Sequence, residues 1–378
     1  AGRLPEAWRW ILQTRLVFLR KRHGHKPRPV RVGELWRRVI AKNKLSKAAP
    51  KIRHSMLQAH QYAVSLPGGA EPLIHVRRCV RDSVTSDASL GVWCEVDVDL
   101  VNAFPSIEWW AVDEALREEV PELARWSEWC HRASPIVLPS GEEHLANRGA
   151  EQGDPDGSVQ CGAVIAGVRR RTRAEFMNEL FGGAGAEIGP EAGHTFAFDA
   201  WFADDGQAWV RPDRVDPFLR ALDVQLKAIG CTRGELPSAK SAVTLIGHPD
   251  ALAALDDAWL TPHVRRTCEV RAPNSATEVL GAMVGSDDAV IAQFGECAAA
   301  TGELQCAIAT LGDPAAELTL GRSCADVSRV NHLMRTAGDV LHDGPVDAFD
   351  VQQQDFLEGI LGGSVGVHAH AQAALGVR

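Results

Sequence analysis

The sequence of 378 residues has no paired cysteine motif and no long apolar run. Its nine cysteines are odd in number and none stands in a C-x-x-C pair, which argues against a disulfide framework, a zinc ribbon or a zinc knuckle. The longest apolar run covers residues 161–168, whereas a membrane-spanning helix needs roughly 18 apolar residues. We therefore expect a protein of a reducing intracellular compartment with no membrane partner. The pattern does not distinguish nucleus from cytoplasm.

Acidic residues are almost missing from the first 60 positions, which hold two Asp/Glu and 16 Lys/Arg. The remainder has 24 basic and 47 acidic residues, so the net charge of −9 hides two opposite parts. A basic block this dense is typical of a surface that binds phosphate groups. Two other interpretations stay open on charge alone: a solvated helix face, or a basic tail that docks on the acidic part of the same chain.

The hydrophobic patterns predict mixed α and β structure up to about residue 287. Three helices should follow, with breaks near residues 312, 338 and 362. The earlier elements that matter most are a helix over 1–22, a strand over 91–100, a helix that begins at the N-cap Asp154, two strands over 195–202 and 207–210, and a strand over 242–246.

Acidic residues stand where two of these elements end. Asp97 and Asp99 close one predicted strand, and Asp204 and Asp205 occupy the turn between two others. A strand end and a hairpin tip lie at the same edge when the strands are neighbours, so these carboxylates would converge. Such a cluster is costly unless a divalent cation such as Mg²⁺ neutralises it, which indicates metal-dependent phosphoryl or nucleotidyl transfer. The plainer alternative is that Asp residues simply favour hairpin turns.

Five short segments carry a family resemblance through their order and spacing. They are D-L-V-N-A-F at 99–104, R-G-A-E-Q-G-D-P at 148–155, F-A-D-D at 202–205, K-S-A-V-T at 240–244 and V-L-G at 279–281. Each is weak alone, but the ordered set resembles the palm motifs of reverse transcriptases, most of all those of non-LTR retrotransposons. Residues 28–33, 36–38 and 67–71 resemble motifs of the fingers in the same family.

The resemblance implies an α+β, right-hand polymerase fold with fingers, an antiparallel-sheet palm and a helical thumb. The implied boundaries are residues 1–88 and 121–152 for the fingers, 89–120 and 153–288 for the palm, and 289–378 for the thumb. It also implies an RNA-directed DNA polymerase that uses two Mg²⁺ ions, with Mn²⁺ as a substitute. Its partners would be an RNA template, a DNA primer, dNTPs and the rest of a retroelement polyprotein.

The resemblance also assigns roles to individual residues. Asp99, Asp204 and Asp205 would hold the metal ions, and Lys240 would protonate the leaving pyrophosphate as a general acid. The residues that would contact the incoming nucleotide are Arg28 and Arg31 at the triphosphate, with Lys26 as a rival, and Phe104 as a gate against the 2′-hydroxyl. Gln152 and Gly153 would line the incoming nucleotide, or are ordinary turn residues.

Several of these assignments keep an alternative. Phe104 could be an ordinary core residue, Lys240 a surface lysine, and Asp97 either a metal neighbour or a plain strand-end charge. Asp156 stands where the family more often has an apolar residue. This departure and the acidic balance support a second function, that of a catalytically inactive or repurposed reverse-transcriptase-like protein that binds RNA. A third candidate is a group II intron or other cellular reverse transcriptase.

Overall fold

A computed structural model describes residues 10–20, 27–131, 135–181, 196–342 and 344–364. The chain divides into two compact units, one of Ala1–Leu73 with Ser83–Asn274 and one of Ile74–Asp82 with Ser275–Arg378. This division does not separate fingers from palm, so the boundaries of fingers, palm and thumb stay a prediction. None of the helices in these described ranges is both long enough and apolar enough to cross a membrane.

The first unit contains two sheets and most of the helices. Its strands are β1 (Thr14–Leu19), β2 (Arg28–Gly33), β3 (Trp93–Val98), β4 (Pro135–Val137), β5 (Glu143–Leu145), β6 (Phe196–Phe202), β7 (Asp205–Val210), β8 (Ala242–Ile246) and β9 (Glu269–Arg271). Its helices are α1 (Leu35–Gln58), α2 (Ala70–Ser86, the middle of which belongs to the second unit), α3 (Ala103–Ser106), α4 (Trp109–Glu119), α5 (Pro121–His131), α6 (Gly157–Phe181), α7 (Val215–Ala228), α8 (Pro249–Ala253) and α9 (Pro262–Thr267).

The larger sheet has five strands in the order β6-β7-β3-β8-β9. The central strand β3 runs antiparallel to both neighbours, and only the pair β8–β9 is parallel. Alternate β3 residues Cys94, Val96 and Val98 are buried in one core with apolar residues of α4, α6 and α7. The predicted strands over 91–100 and 242–246 are confirmed, as is the α+β fold class with a mainly antiparallel sheet.

The smaller sheet, in the order β2-β1-β4-β5, corrects the predicted helix over residues 1–22. Residues Thr14–Leu19 form a strand that pairs with β2 over six positions and, through Thr14 and Arg15, with Ile136 and Val137 at the end of β4. The segment T-R-L-V-F-L is rich in β-branched and aromatic residues, and pairing with the nearby β2 and the distant β4 decided its conformation. Residues 1–9, 21 and 22 of the predicted helix lie outside the described residues.

A buried ionic network joins this sheet and α1 to the loop before α6. Arg37, which is 2% exposed, pairs with the carboxylates of Asp154 and Glu151. Asp154 also accepts a hydrogen bond of 2.9 Å from the Gly33 N–H, and Glu151 contacts Arg31 at 2.5 Å. The prediction that Asp154 caps a helix is therefore wrong, because α6 begins three residues later and the carboxylate reaches across to β2 and α1.

The second unit consists of a hairpin, four further helices and the middle of α2. Its elements are β10 (Thr277–Val279), β11 (Ala282–Val284), α10 (Asp287–Ile308), α11 (Pro314–Cys324), α12 (Asn331–Leu341) and α13 (Pro345–Leu361). Within the unit, Arg77 and Arg81 of α2 donate hydrogen bonds to Thr277 and Ser275 beside the hairpin.

The helical part of this unit has one break more than the sequence predicts. The expected breaks near 312 and 362 are confirmed. Ala337 is only a kink inside α12, and the break expected near 338 lies a few residues later, between Leu341 at the end of α12 and Pro345 at the start of α13. The missed break follows Cys324, where the Asp326 carboxylate accepts a hydrogen bond from the Ser328 N–H. It was missed because the break contains neither Gly nor Pro.

Removing the Asp154 carboxylate tests the importance of the ionic network. The substitution Asp154→Ala should lower the free energy of unfolding by about 3 kcal/mol or more, because it leaves the buried Arg37 short of one counter-charge. Urea unfolding measures this loss. The matched control is Arg220→Ala, which breaks an i,i+4 pair with Asp216 whose arginine side chain is 60% exposed and should cost only about 0.5 kcal/mol. Equal losses in the two variants would contradict the assignment.

Candidate active site

Strand register places three of the predicted catalytic residues in one row. Val98 at the end of β3 pairs with Gly206 of β7, and Asp97 pairs with Ala242 of β8. Continuing both antiparallel ladders past the end of β3 sets Asp99 between Asp205 and Lys240. The Lys240 Nζ atom indeed lies 4.0 Å from Asp99 Oδ1. Two carboxylates and an ammonium group thus share the edge where β3 ends.

The turn between β6 and β7 carries the third carboxylate at the same edge. Phe202 pairs with Asp205, so the turn consists of only Ala203 and Asp204. This is tighter than the turn over 203–206 that the sequence predicts. Ala203 has a φ of +57°, a left-handed conformation that non-glycine residues seldom adopt. Asp204 therefore lies at the tip of the hairpin, directly after a residue whose backbone has an unfavourable φ.

A cavity of about 560 Å³ opens at this edge. Of the residues predicted to act on substrate, those in its lining are Asp99, Phe104, Gln152, Asp204 and Lys240. The Phe104 side chain is 7% exposed and belongs to the hydrophobic core as well as to the cavity wall. The site therefore combines an acidic edge, one lysine and an aromatic wall in a space large enough for a small charged molecule.

The loop that contains Gln152 is hydrogen-bonded to the backbone at and near Phe104. The N–H groups of Gly149 and Ala150 donate hydrogen bonds of 2.7 Å to the carbonyls of Ile107 and Phe104. Gly149 has a φ of +98°, which a residue with a side chain would adopt only under strain. Gly153 lies against β2, where a Cβ atom would stand 2.1 Å from the Arg31 carbonyl oxygen. The predicted contact between Gly153 and a nucleotide stays untested, and the structure gives the residue a packing role.

Of the two arginines predicted to bind triphosphate, the structure describes the side chain of Arg31, which lies outside the cavity lining. The Arg31 guanidinium pairs with Glu151, donates to Thr14 Oγ1 at 3.4 Å, and is not part of the lining. Burial lowers the pKa of Arg31, against the raising effect of Glu151. The side chain of Arg28 and all of Lys26 lie outside the described residues. Their neighbours Pro27 and Pro29 do line the cavity, so the backbone of this segment borders the site.

Electrostatic repulsion marks the acidic edge. Desolvation raises the pKa of the Asp205 carboxyl to about 6, and the charges of Asp204 and Asp99 add to this effect. Lys240 acts in the opposite direction. Asp97 forms an ion pair of 2.7 Å with Arg271 of β9, which favours the interpretation of Asp97 as a strand-end charge.

The donor chemistry at this edge suits Mg²⁺, because all three side chains offer hard carboxylate oxygens and their mutual repulsion would be relieved by a cation. As the side chains stand, no three His, Cys, Asp or Glu residues in the described part of the chain are gathered closely enough to hold an ion. The predicted ligand set of Asp99, Asp204 and Asp205 therefore stays a prediction.

Sequence reasoning missed two buried side chains that form hydrogen bonds with the backbone at the acidic edge. The Ser241 hydroxyl accepts a hydrogen bond of 3.1 Å from the Asp99 N–H and donates one of 3.3 Å to the Asp99 carbonyl. The Gln61 side chain is hydrogen-bonded to the backbone of Ala203. Ser241 could have been noticed as part of the K-S-A-V-T segment. Gln61 lies between the predicted motifs and carries no signal of its own.

The raised pKa of Asp205 predicts a stability cost that an amide would remove. In metal-free buffer with EDTA, Asp205→Asn should be more stable than the parent at pH 8 by about 1 kcal/mol, after screening by solvent. A carboxyl whose pKa is higher in the native state stabilises the fold only while protonated, so stability is lost as the pH rises from about 4 through about 6. The difference between variant and parent should vanish below pH 4. Thermal unfolding across this pH range measures it, and a variant less stable than the parent at pH 8 would refute the electrostatic argument.

Comparison with known proteins gives distant structural similarity only. No family model matches the chain, and no curated protein matches it. Among solved structures, telomerase from Candida albicans in complex with a fragment of telomeric RNA aligns at 10% identity and a TM-score of 0.49, over 98% of this chain and 58% of that one. Apo telomerase from Candida tropicalis aligns at 12% identity and a TM-score of 0.45, over 95% of this chain and 58% of that one.

A form of the Candida tropicalis enzyme truncated from its C-terminal domain aligns at 12% identity and a TM-score of 0.43, over 73% of this chain and 53% of that one. The chain thus spans a little more than half the length of each of these telomerases. Similarity at this level carries no information on activity or substrate.

Proposed function

We propose that the protein is an RNA-directed DNA polymerase of the non-LTR retrotransposon type, with a right-hand arrangement of fingers, palm and thumb. One observation carries the proposal. The register of β7, β3 and β8 sets Asp205, Asp99 and Lys240 in a row, beside a cavity that Asp204 lines from the hairpin tip. Acidic residues brought together from separate strands at a sheet edge suit nucleotidyl transfer better than a chance turn.

Each of the five predicted residues in the cavity lining has a part in the proposed reaction. The primer 3′-hydroxyl gives up its proton to water, its oxygen bonds to the α-phosphorus of a dNTP, and the bond from that phosphorus to the leaving pyrophosphate breaks. Lys240, whose side chain is 72% exposed, can swing from Asp99 toward the leaving group and donate a proton to it. Gln152 lies exposed on its loop and contacts the incoming nucleotide. Phe104 forms the apolar wall against which the sugar packs, where a 2′-hydroxyl would be crowded and without a hydrogen-bond partner.

Asp99, Asp204 and Asp205 would hold two Mg²⁺ ions, or Mn²⁺ in their place, which when bound lower the pKa of the primer hydroxyl and neutralise the triphosphate. The partners that follow are an RNA template, a DNA primer and dNTPs. The basic first 60 residues supply positive charge for template phosphates. We further propose that the chain works as part of a longer retroelement protein.

Primer extension on a poly-rA/oligo-dT template with Mg²⁺ tests the function directly. The parent should extend the primer, and Asp204→Asn should reduce extension at least about 100-fold because it removes a charge from the acidic edge. The matched control is Asp250→Asn on α8, whose carboxylate side chain is 88% exposed and remote from the cavity lining. It should extend the primer like the parent.

Absence of extension by the folded parent in both Mg²⁺ and Mn²⁺ would refute the proposed function. Binding of RNA without extension would then favour the catalytically inactive alternative. Equal extension by the parent and by Asp204→Asn would show that the activity resides elsewhere.

Replacing Phe104 by a smaller residue should weaken the discrimination between deoxyribonucleotides and ribonucleotides. With Phe104→Val, the ratio of kcat/KM for dTTP to kcat/KM for UTP should fall at least about tenfold, because the ring no longer crowds the 2′-hydroxyl. Steady-state single-nucleotide incorporation measures this ratio. The control Phe218→Val removes a similarly buried ring that packs edge-on against Phe176, away from the cavity, and should lower stability without changing the ratio. An unchanged ratio in Phe104→Val would overturn the gate assignment.

A further inference from the structure

The Gln61 side chain makes a two-point contact with the backbone of the acidic hairpin turn. The Ala203 N–H donates to Gln61 Oε1 at 2.8 Å, and Gln61 Nε2 donates to the Ala203 carbonyl at 3.0 Å. Only one orientation of the amide satisfies both bonds, because one partner is a donor and the other an acceptor. Gln61 has no exposed surface, so these bonds are shielded from water.

Ala203 is the residue that needs such a contact. Its φ of +57° is unfavourable for a residue with a Cβ atom, and it immediately precedes Asp204. A backbone in a sparsely populated conformation persists only where its surroundings impose it. The bonds from Gln61 engage both backbone polar groups of this one residue. They therefore oppose any rotation of the turn that would carry Asp204 away from the cavity.

Gln61 is itself fixed to the strand that leads into the turn. The carbonyl of His60 accepts a hydrogen bond of 2.9 Å from the Trp201 N–H, and the Tyr62 N–H donates one of 2.8 Å to the Trp201 carbonyl. Gln61 and Trp201 therefore form a parallel bridge two residues before Ala203. The segment behaves as a short extra strand beside β6, which sets the distance from the Gln61 backbone to the turn.

We propose that Gln61 is a positioning residue for catalysis, which holds the Ala203–Asp204 turn so that the Asp204 carboxylate faces the cavity. This inference rests on the proposed function, since it assigns Gln61 an effect on the turnover that Asp204 supports. It differs from a role in stability alone. A positioning residue changes kcat while leaving nucleotide binding intact, whereas a structural one changes only the fraction of folded protein.

The substitution Gln61→Met tests this inference, because methionine fills a similar volume and offers neither hydrogen bond. We expect kcat for dTTP incorporation to fall about 10- to 100-fold with KM changed less than about threefold, since a shift of about 1 Å in a reacting group costs that much. A second measurement needs no activity. Amide hydrogen exchange in a peptide over residues 199–208 should become faster in the variant, because the Ala203 N–H loses its buried acceptor.

The matched control is Gln305→Met in the second unit. Gln305 is 3% exposed and also makes two buried hydrogen bonds, to the Ala325 carbonyl and from the Gln352 amide. It should lose comparable thermal stability with kcat unchanged, and exchange over residues 199–208 should stay as in the parent. A second variant, Gln61→Asn, keeps an amide donor and acceptor on a side chain one methylene shorter and buries no charge. It should fold and give an intermediate kcat even where Gln61→Met does not fold.

Two results would overturn the proposal: kcat unchanged in both Gln61 variants, or an equal loss of kcat in Gln305→Met. Faster exchange over 199–208 with unchanged kcat would also overturn it, because the turn would then be loosened without effect on turnover. If the parent shows no primer extension at all, the proposed function fails. The exchange experiment still decides in that case whether Gln61 holds the turn.

Discussion

The register of β3 between β7 and β8 is the constraint on which the candidate site depends. Cys94, Val96 and Val98 must face the core, and this parity sends Asp97 and Asp99 to the opposite face. A shift of β3 by one residue relative to β7 and β8 would turn the carboxylates toward the core and the apolar side chains away from it. A shift of two residues would keep each side chain on its face of the sheet but would separate Asp99 from Asp205 and Lys240. The packing of β3 in the core thus fixes the position of the acidic edge, although Cys94, Val96 and Val98 are not part of the cavity lining.

The acidic edge is electrostatically unfavourable, and the surrounding structure offsets this in two ways. Lys240 and Arg271 bring positive charge near Asp99 and Asp97. Ser241 and Gln61 form hydrogen bonds with the main chain of Asp99 and Ala203, and so fix the backbone that carries Asp99 and Asp204. Replacing such contacts by bonds to the carboxylates would stabilise the fold and compete with the proposed chemistry.

Strands and turns that depend on a few neighbouring residues could be predicted from the sequence. Features that depend on contacts between separate segments could not. The alternation in β3 and the Asp204–Asp205 hairpin were predictable because period and turn residues are visible over a few positions. The partner of Asp154 was not, since Arg37 lies 117 residues away in sequence. The same holds for β1, whose strand state depends on β2 and β4, and for Gln61, whose amide acts on a turn 142 residues downstream. A functional role that consists of holding another residue's backbone leaves no motif.

The loop over residues 148–157 contributes to folding and, in the proposed reaction, would also contribute to substrate selection. Gly149 and Ala150 bind the backbone beside Phe104, so the loop and the aromatic wall of the cavity are fixed to each other. Three residues on, Gly153 lies against β2, which places Gln152 between the two anchors with its side chain toward the cavity. A shift of the loop would therefore move the aromatic wall and the polar contact together. In the proposed polymerase, discrimination between nucleotides would then depend on the packing of this loop as much as on the side chain of Phe104.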